Sequence, residues 1–418
     1  MIRSAKAPRR SRIIAAVPED DRWARYKHAI AGEPFPVALV DLDALEVNAR
    51  RLFAPIRAAG KRARLASKSV RCPELLARIA ALAGDLFVGY MTYTAAETAF
   101  LAGAGVRDLL LAYPTVNARD ARLIAGANRS ATAAIVVDTA AQLPVLAEAA
   151  RAEGTRIPIV IDVDMSWRPL GGMHLGVRRS PLRDPEAVVS LAREIADDPA
   201  LRFHGVLGYE AQLAGLPDRL PFRAWQNPVK RAVKRGSQSA ITAIRARVAL
   251  ALDRAGLAPA IVNGGGTGSV DWSSTDPALT EVTVGSGFLC SHLFDGYRGL
   301  ELEPALAFAL QVVRRPAPGL VTCHGGGWIA SGAAGADRLP QPTWPLHCKL
   351  LPGEGAGEVQ TPVVVPASVE LALGDPIFFR PAKAGELAEH VTEYVLVRGD
   401  RIVGRAPTYR GLGQCFLG

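Results

Sequence analysis

Arg64-Leu65-Ala66-Ser67-Lys68-Ser69-Val70-Arg71-Cys72-Pro73 reads as a short β-strand that ends in a lysine and hands over to a helix opening at Pro73. Proline suits the first helical turn, where its missing N–H would have no intrahelical acceptor. A lysine at the mouth of a strand, followed by serine and arginine, is a candidate amine nucleophile; a solvated charge at a strand end is the plainer alternative. The fold turns on whether this strand-then-helix unit repeats.

It does. A short apolar run at 37–41 opens the body of the chain, and helical stretches rich in Ala, Leu and Arg follow at 42–59, 73–83, 94–104, 118–127 and 139–152. Between and after them lie short apolar runs at 63–68, 86–89, 108–111, 134–138, 157–162, 203–209, 260–263 and 282–284. Eight β-like runs with helix-sized connections predict an α/β fold of the (β/α)8 TIM-barrel type, whose active site lies at the strand C-termini. A doubly wound open sheet is the alternative, because alternation alone does not say whether the sheet closes. Polar residues gather at the strand ends, where the barrel rule puts a site. Lys68 ends the first run and Asp138 the fourth, while Asp162 with Asp164 and Tyr209 with Glu210 mark the fifth and sixth.

After about residue 299 the helical patterning fades, and β-rich runs appear between Gly/Pro turns at 308–314, 319–323, 363–365 and 376–379. Runs at 394–398 and 401–405 flank Gly399-Asp400, a hairpin turn signal. The expected organisation is a lead-in over 1–35, with one helix at 20–31, packing near a mostly β domain at 300–418. The barrel occupies 36–299.

Composition narrows the function. The chain has 418 residues, 49% hydrophobic and 21% charged, as in an ordinary globular enzyme. Of the net charge of +9, five positive charges (Arg3, Lys6, Arg9, Arg10, Arg12) precede the first acid at Glu19, so over half of the excess sits on the N-terminal tail. With 6% aromatics and no interleaved basic-aromatic run in the body, nucleic-acid binding is not expected. No apolar run reaches the roughly 18 residues of a membrane helix, and the apolar stretch at 13–17 is too short for the core of an export signal. A cytoplasmic protein is expected. Five scattered cysteines without a CxxC pair make neither a disulfide framework nor a zinc ribbon.

Val262-Asn263-Gly264-Gly265-Gly266-Thr267-Gly268-Ser269 is a glycine-rich turn straight after a predicted strand. Its backbone N–H groups and hydroxyls suit an anion cradle, since four glycines exceed what a plain turn needs. Gly285-Ser286-Gly287, after the eighth run, supplies a neighbouring cradle, as barrel phosphate sites use the loops after strands seven and eight. His324-Gly325-Gly326-Gly327 matches an esterase oxyanion motif, but no serine stands in a GxSxG elbow, so a β-turn is expected there. His347, Cys348 and His390 have no metal-ligand spacing.

An amine at one strand mouth and a phosphate cradle across the barrel point to pyridoxal 5'-phosphate. Here the chain resembles the fold-type III pyridoxal enzymes with an alanine-racemase-like barrel, and within them the D-threonine aldolase and D-serine dehydratase family. The resemblance runs from about Pro36 to the C-terminus. Residues 37–45 with Asn48 resemble the family's opening, and 64–75 its cofactor-lysine segment. Residues 205–210 resemble its sixth-strand segment with a tyrosine near the ring, 262–269 the phosphate loop, and 283–289 the segment after it. The resemblance implies Lys68 as the Schiff-base lysine, Tyr209 beside the ring, and Asn263, Gly265, Gly266, Thr267, Gly285 and Ser286 about the cofactor. It also implies a homodimer in which the β domain of one subunit caps the other's barrel.

Gly374-Asp375 with Ile377 resembles the strand leading to the family's zinc or manganese site, whose ligands form a His-x-Cys pair. Here Lys383 stands for the histidine and Gly385 for the cysteine. Neither can ligate a metal, so the chain is expected to be metal-independent, with the Lys383 ammonium supplying the positive charge. His174-Leu175-Gly176-Val177 departs from a frequent arginine at its first position, for which Arg168 is a candidate substitute. The implied reaction is that of a lyase on a D-3-hydroxy amino acid, by retro-aldol cleavage or by dehydration and deamination. A racemase is the alternative within the family, and a non-catalytic pyridoxal phosphate carrier the alternative outside enzymes.

Overall fold

The computed structural model describes residues 19–169 and 172–417, so the basic tail lies outside the described residues. The first elements are α1 (Glu19–Ala29), β1 (Val37–Asp41), α2 (Leu42–Ala58), β2 (Arg62–Ala66) and α3 (Pro73–Ala83). The alternation continues through β3 (Phe87–Thr92), α4 (Ala95–Gly103), β4 (Asp108–Leu111), α5 (Ala118–Ala127), β5 (Thr132–Val137) and α6 (Leu143–Glu153). It is completed by β6 (Ile157–Asp162), α7 (Pro185–Asp197), β7 (Leu201–Leu207), α8 (Ala211–Ala214), α9 (Asn227–Arg254), β8 (Ile261–Gly264), α10 (Val270–Thr275) and β9 (Glu281–Val284).

Among the described residues, β2 to β9 close into one parallel barrel, and the closure is the pairing of β2 with β9, Arg62 to Leu65 beside Glu281 to Val284. The chain has the TIM-type fold; the open sheet is not formed. The helices follow from local sequence. In α2, Leu45, Asn48, Ala49, Leu52, Phe53 and Ile56 recur at helical spacing and are buried, and the Asp41 carboxylate caps the first turn by accepting from the N–H groups of Asp43 and Ala44.

Strand parity decides which side chains face the barrel axis. Leu110, Ala134, Val136, Val160 and Leu207 pack together in the interior. Arg64 shares that interior, held by Glu281 at 2.6 and 2.9 Å and by Asp108 at 2.6 Å. Counting by twos from these positions brings Asp138, Asp162 and Tyr209 to the inward side at the C-terminal mouth.

The remaining strands are β10 (Leu306–Ala317), β11 (Leu320–His324), β12 (Gln341–Trp344), β13 (Lys349–Leu350), β14 (Gln360–Val364) and β15 (Pro376–Arg380). The short helix α11 (Ala384–Leu387) precedes β16 (Glu393–Arg398) and β17 (Arg401–Pro407). With β1 they form a second, mostly antiparallel sheet in the order β13-β14-β11-β10-β1-β16-β17, with β15 joining β10 to β12. The run at 37–41, read from sequence as the opening of the barrel segment, therefore lies in the β sheet. It is antiparallel to β10 and parallel to β16. Its two faces are buried differently: Val37 and Leu39 pack with Tyr26 of α1 and Ile30 just beyond it, whereas Ala38 and Val40 join the core shared with α2. A strand apolar on both faces cannot be assigned to one sheet or the other by pattern alone. Helix α1 is fastened to this sheet by Lys27 on Asp375 (2.6 Å) and by the Trp23 indole on the Pro376 carbonyl (3.1 Å). His324 is the last residue of β11, and Gly325-Gly326-Gly327 follow it as irregular backbone rather than the expected β-turn, with Gly325 and Gly326 at φ of 84° and 110°.

Candidate active site

Lys68 does not end β2, as its sequence suggests, but sits one residue into a single 3-10 turn, Ser67–Ser69, beyond it. The turn keeps the side chain at the barrel mouth, where Nζ donates to the Tyr113 hydroxyl at 2.9 Å and lies 5.6 Å from that ring's centre. Ser67 anchors the turn to the Met91 carbonyl at 3.0 Å, and Arg71, at φ of 51°, donates back to the Lys68 carbonyl at 3.0 Å. Tyr113 follows β4 and was not legible as a partner, because nothing in the chain links it to a residue 45 positions earlier.

The adjacent residue joins the lysine to the glycine loops: the Ser69 and Ser286 hydroxyls lie 2.9 Å apart. Across the loops, the Gly287 N–H donates to the Thr267 hydroxyl at 3.0 Å. The N–H groups of Gly266, Thr267, Gly268, Gly285 and Ser286 find no acceptor among the described residues. An added Cβ on Gly266 would lie 2.8 Å from Ala214 Cβ and 3.4 Å from Tyr209 Cε2, and one on Gly285 would lie 2.8 Å from Ala66 Cβ. Gly265 runs at φ of 96°, where an L side chain is strained. A rim of unclaimed donors whose glycines leave no room for a side chain fits a phosphate group.

Asn263 is not part of that rim. It is 2% exposed, and its amide is spent inside the barrel, donating to Glu281 and Thr283 at 2.8 Å each. Strand alternation points it along the axis, one residue before the backbone turns outward.

The rest of the mouth is polar. Arg179 lies 5.5 Å from the centre of the Tyr209 ring, and burial pushes the Tyr209 phenol up to about 12. Burial also raises the Asp162 carboxyl to about 7; Arg179 opposes the rise and Asp138 and Asp164 add to it. Asp164 itself is occupied by Ser166 (2.7 Å) and Arg168 (2.7 Å), and His174 by the Val177 carbonyl (3.1 Å). Arg168 is thus committed to its own loop. Arg179 was missed in the sequence; the Arg178-Arg179 pair in the long β6–α7 connection was the available signal.

The β domain completes the lysine side. An added Cβ on Gly385 would fall 1.9 Å from the Lys68 carbonyl oxygen. Glu389 accepts from Arg71 at 2.5 Å, and the Tyr409 N–H donates to the Arg71 carbonyl at 2.9 Å. Lys383 donates to the Ser331 carbonyl and hydroxyl, both at 2.8 Å, and stands 3.8 Å from Glu386. Among the described residues no three His, Cys, Asp or Glu side chains converge on one point. The metal site implied by resemblance does not fit here: a protonated amine offers no lone pair, and position 385 has no room for a thiol. His390 stacks on Trp328 at 5.5 Å, and Cys348 is buried in the core.

Comparison with known proteins finds relatives of one kind. Residues 40–288 match the family model "Alanine racemase, N-terminal domain". The chain is 29% identical over 252 residues to a 3-hydroxy-D-aspartate aldolase of Paracoccus denitrificans, covering 60% of this chain and 59% of that protein. It is 26% identical over 296 residues to a D-threonine aldolase of an Arthrobacter species, covering 70% and 71%. Among solved structures, D-threonine aldolase from Filomicrobium marinum superposes with a TM-score of 0.78 at 22% identity, over 90% of this chain and 95% of that one. D-threo-3-hydroxyaspartate dehydratase from a Delftia species gives 0.72 at 21%, over 91% and 98%. These structural likenesses extend through both the barrel and the β domain.

Proposed function

The chain belongs to the alanine racemase N-terminal domain family, and on that premise we propose that it is a pyridoxal 5'-phosphate-dependent lyase acting on a D-3-hydroxy amino acid. The observation that carries the reading is the 2.9 Å contact between Ser69 and Ser286, which places the residue after Lys68 against the rim of unclaimed N–H donors. In this reading Lys68 holds the cofactor, and the N–H groups of Gly266, Thr267, Gly285 and Ser286 take its phosphate. Gly265 shapes the loop and Tyr209 packs beside the ring. The cofactor, when bound, supplies an electron sink for the substrate's Cα.

The chain's own residues then select the bond. The Lys68 amine takes or returns a proton at Cα, as dehydration requires. Retro-aldol cleavage instead needs a base at the β-hydroxyl, and Asp162, raised to about 7 by burial, can hold or release a proton near neutral pH. Lys383 is two residues from the backbone that abuts Lys68, a chain span of at most about 7 Å. Its ammonium, steadied by Ser331, provides positive charge beside a departing or ionising hydroxyl. Relatives named as aldolases and as a dehydratase support both outcomes. A small-molecule carrier would have no need of the β domain that closes over Lys68. The five unpaired cysteines suit a cytoplasmic setting, and the family resemblance a homodimer.

Purified protein supplied with the cofactor should be yellow, and Lys68→Ala should abolish the chromophore. Incubation with a panel of D- and L-3-hydroxy amino acids should release an aldehyde or a keto acid from the D series. A product that is only the opposite enantiomer would replace the lyase with a racemase. Activity should survive a strong chelator, while Lys383→Met should lower turnover at saturating cofactor on the order of a hundredfold. Complete loss on chelation, rescued by manganese or zinc, would overturn the role of Lys383.

A further inference from the structure

We propose that the buried Glu210–Arg245 pair is a positioning device for the phosphate cradle, setting the glycine loop from beneath and countering the carboxylate under it with a guanidinium. Glu210 follows β7 and is fully buried. It accepts from the Gly265 N–H at 3.1 Å, from Ser269 at 3.2 Å and from Ser273, so both ends of the 265–269 loop are tied to one carboxylate. With those donors drawn downward, the N–H groups of Gly266, Thr267 and Gly268 between them are left without a protein acceptor.

A carboxylate in that place would repel an incoming phosphate unless it were paired. Arg245, 3% exposed on α9, supplies the pairing: it meets Glu210 at 2.7 Å, the Gly208 carbonyl at 2.8 Å and Asp276 at 2.9 Å. Its guanidinium lies so close under the loop that a Cβ on Gly264 would stand 2.4 Å from Nη2. The glycine at 264 is thus required by the arginine beneath it, and the pair and the loop form one unit. Neither side chain reaches the reacting atoms; both act through the loop.

The inference rests on the pyridoxal phosphate reading for its ligand, and the test separates the two. Apo-protein is titrated with pyridoxal phosphate, with pyridoxal lacking the phosphate, and with inorganic phosphate followed by phosphorus NMR. Arg245→Met leaves Glu210 unpaired beneath the cradle and should weaken pyridoxal phosphate and inorganic phosphate by about tenfold or more, with pyridoxal unchanged. Arg245→Met combined with Glu210→Gln removes the charge directly beneath the loop, leaving only Asp276 without its arginine, and should recover most of that loss. Arg245→Lys, for use if the methionine variant does not fold, should weaken the phosphate-bearing ligands alone by about threefold to tenfold. Equal weakening of pyridoxal and pyridoxal phosphate, or unchanged phosphate affinity in any folded variant, would overturn the proposal. A wild-type protein that binds inorganic phosphate but forms no Lys68 chromophore would instead overturn the cofactor reading and leave the cradle assignment standing.

Discussion

The two halves of the candidate site are built in different ways. The anion side is closed within the barrel: the loops after β8 and β9 are bonded to each other through Thr267 and Gly287, and rest on Glu210 and Arg245. The lysine side is finished from outside. The turn carrying Lys68 is pressed by Gly385 and pinned through Arg71 to Glu389 and Tyr409, all contributed by the β domain. An anion needs a ring of donors at fixed spacing, which neighbouring parallel strands supply locally. The amine must also be aimed, and that depends on contacts more than 300 residues away in the chain. Affinity for phosphate and competence of the lysine should therefore be separable.

The strongest test of that separation is Gly385→Ala. The new methyl would occupy space 1.9 Å from the Lys68 carbonyl, so the turn must move. A displacement of about 1 Å at a reacting group costs on the order of a hundredfold in rate. Turnover should fall by that order while binding of inorganic phosphate is unchanged. If phosphate binding falls in step, the two sides are one unit and the comparison fails.

A second effect lies in the interdomain contact behind Lys68. Glu97 is fully buried and accepts from the Tyr409 hydroxyl at 2.8 Å and the Tyr93 N–H at 2.9 Å. Burial pushes its carboxyl up to about 7, opposed by those hydrogen bonds. A carboxyl raised above its unfolded value of about 4.3 contributes stability that is complete below that pH and is lost as pH rises through 7. Glu97→Gln should remove a fall on the order of 3 kcal/mol between pH 4.5 and neutrality, read from denaturant unfolding at several pH values against wild type. The absence of any difference between the two pH profiles would show that Glu97 is charged in the folded protein.

The smallest of the three concerns the anion side. Thr267→Ala removes the acceptor for the Gly287 N–H and leaves a buried donor unpaired, a cost of about 1–3 kcal/mol. The dissociation constant for the phosphorylated cofactor should rise about tenfold, with turnover at saturating cofactor close to wild type. A drop in turnover at saturation would tie the cradle to the lysine after all.

The reading of particular residues follows the same division. The lysine near a strand mouth, the glycine loops and the β/α alternation were legible because each is a local pattern: a strand followed by a helix start, a run of small residues, a change of period. The direction of Asn263 was not legible because a residue one position before a glycine turn can face either the axis or the rim, and only its bonds to Glu281 and Thr283 on β9 show which. Arg245 was invisible as a site residue. It lies on a 28-residue helix whose basic composition resembles a solvated face, and its partners come from three other segments.

By itself the sequence determined the eight barrel strands, the helices as far as 152, most of the second sheet's strands, and the two places where phosphate and amine chemistry are possible. Hydrophobic period, proline and glycine act over a few residues and need no partner. The tertiary structure alone decided that β2 pairs with β9 to close the barrel, and that the strand at Val37 joins the other sheet. It also decided that Gly385 excludes a side chain above Lys68, and that Glu210 meets Arg245 beneath the cradle. Each of these is a contact between segments distant in the chain, and its energy depends on packing and burial that no local pattern encodes.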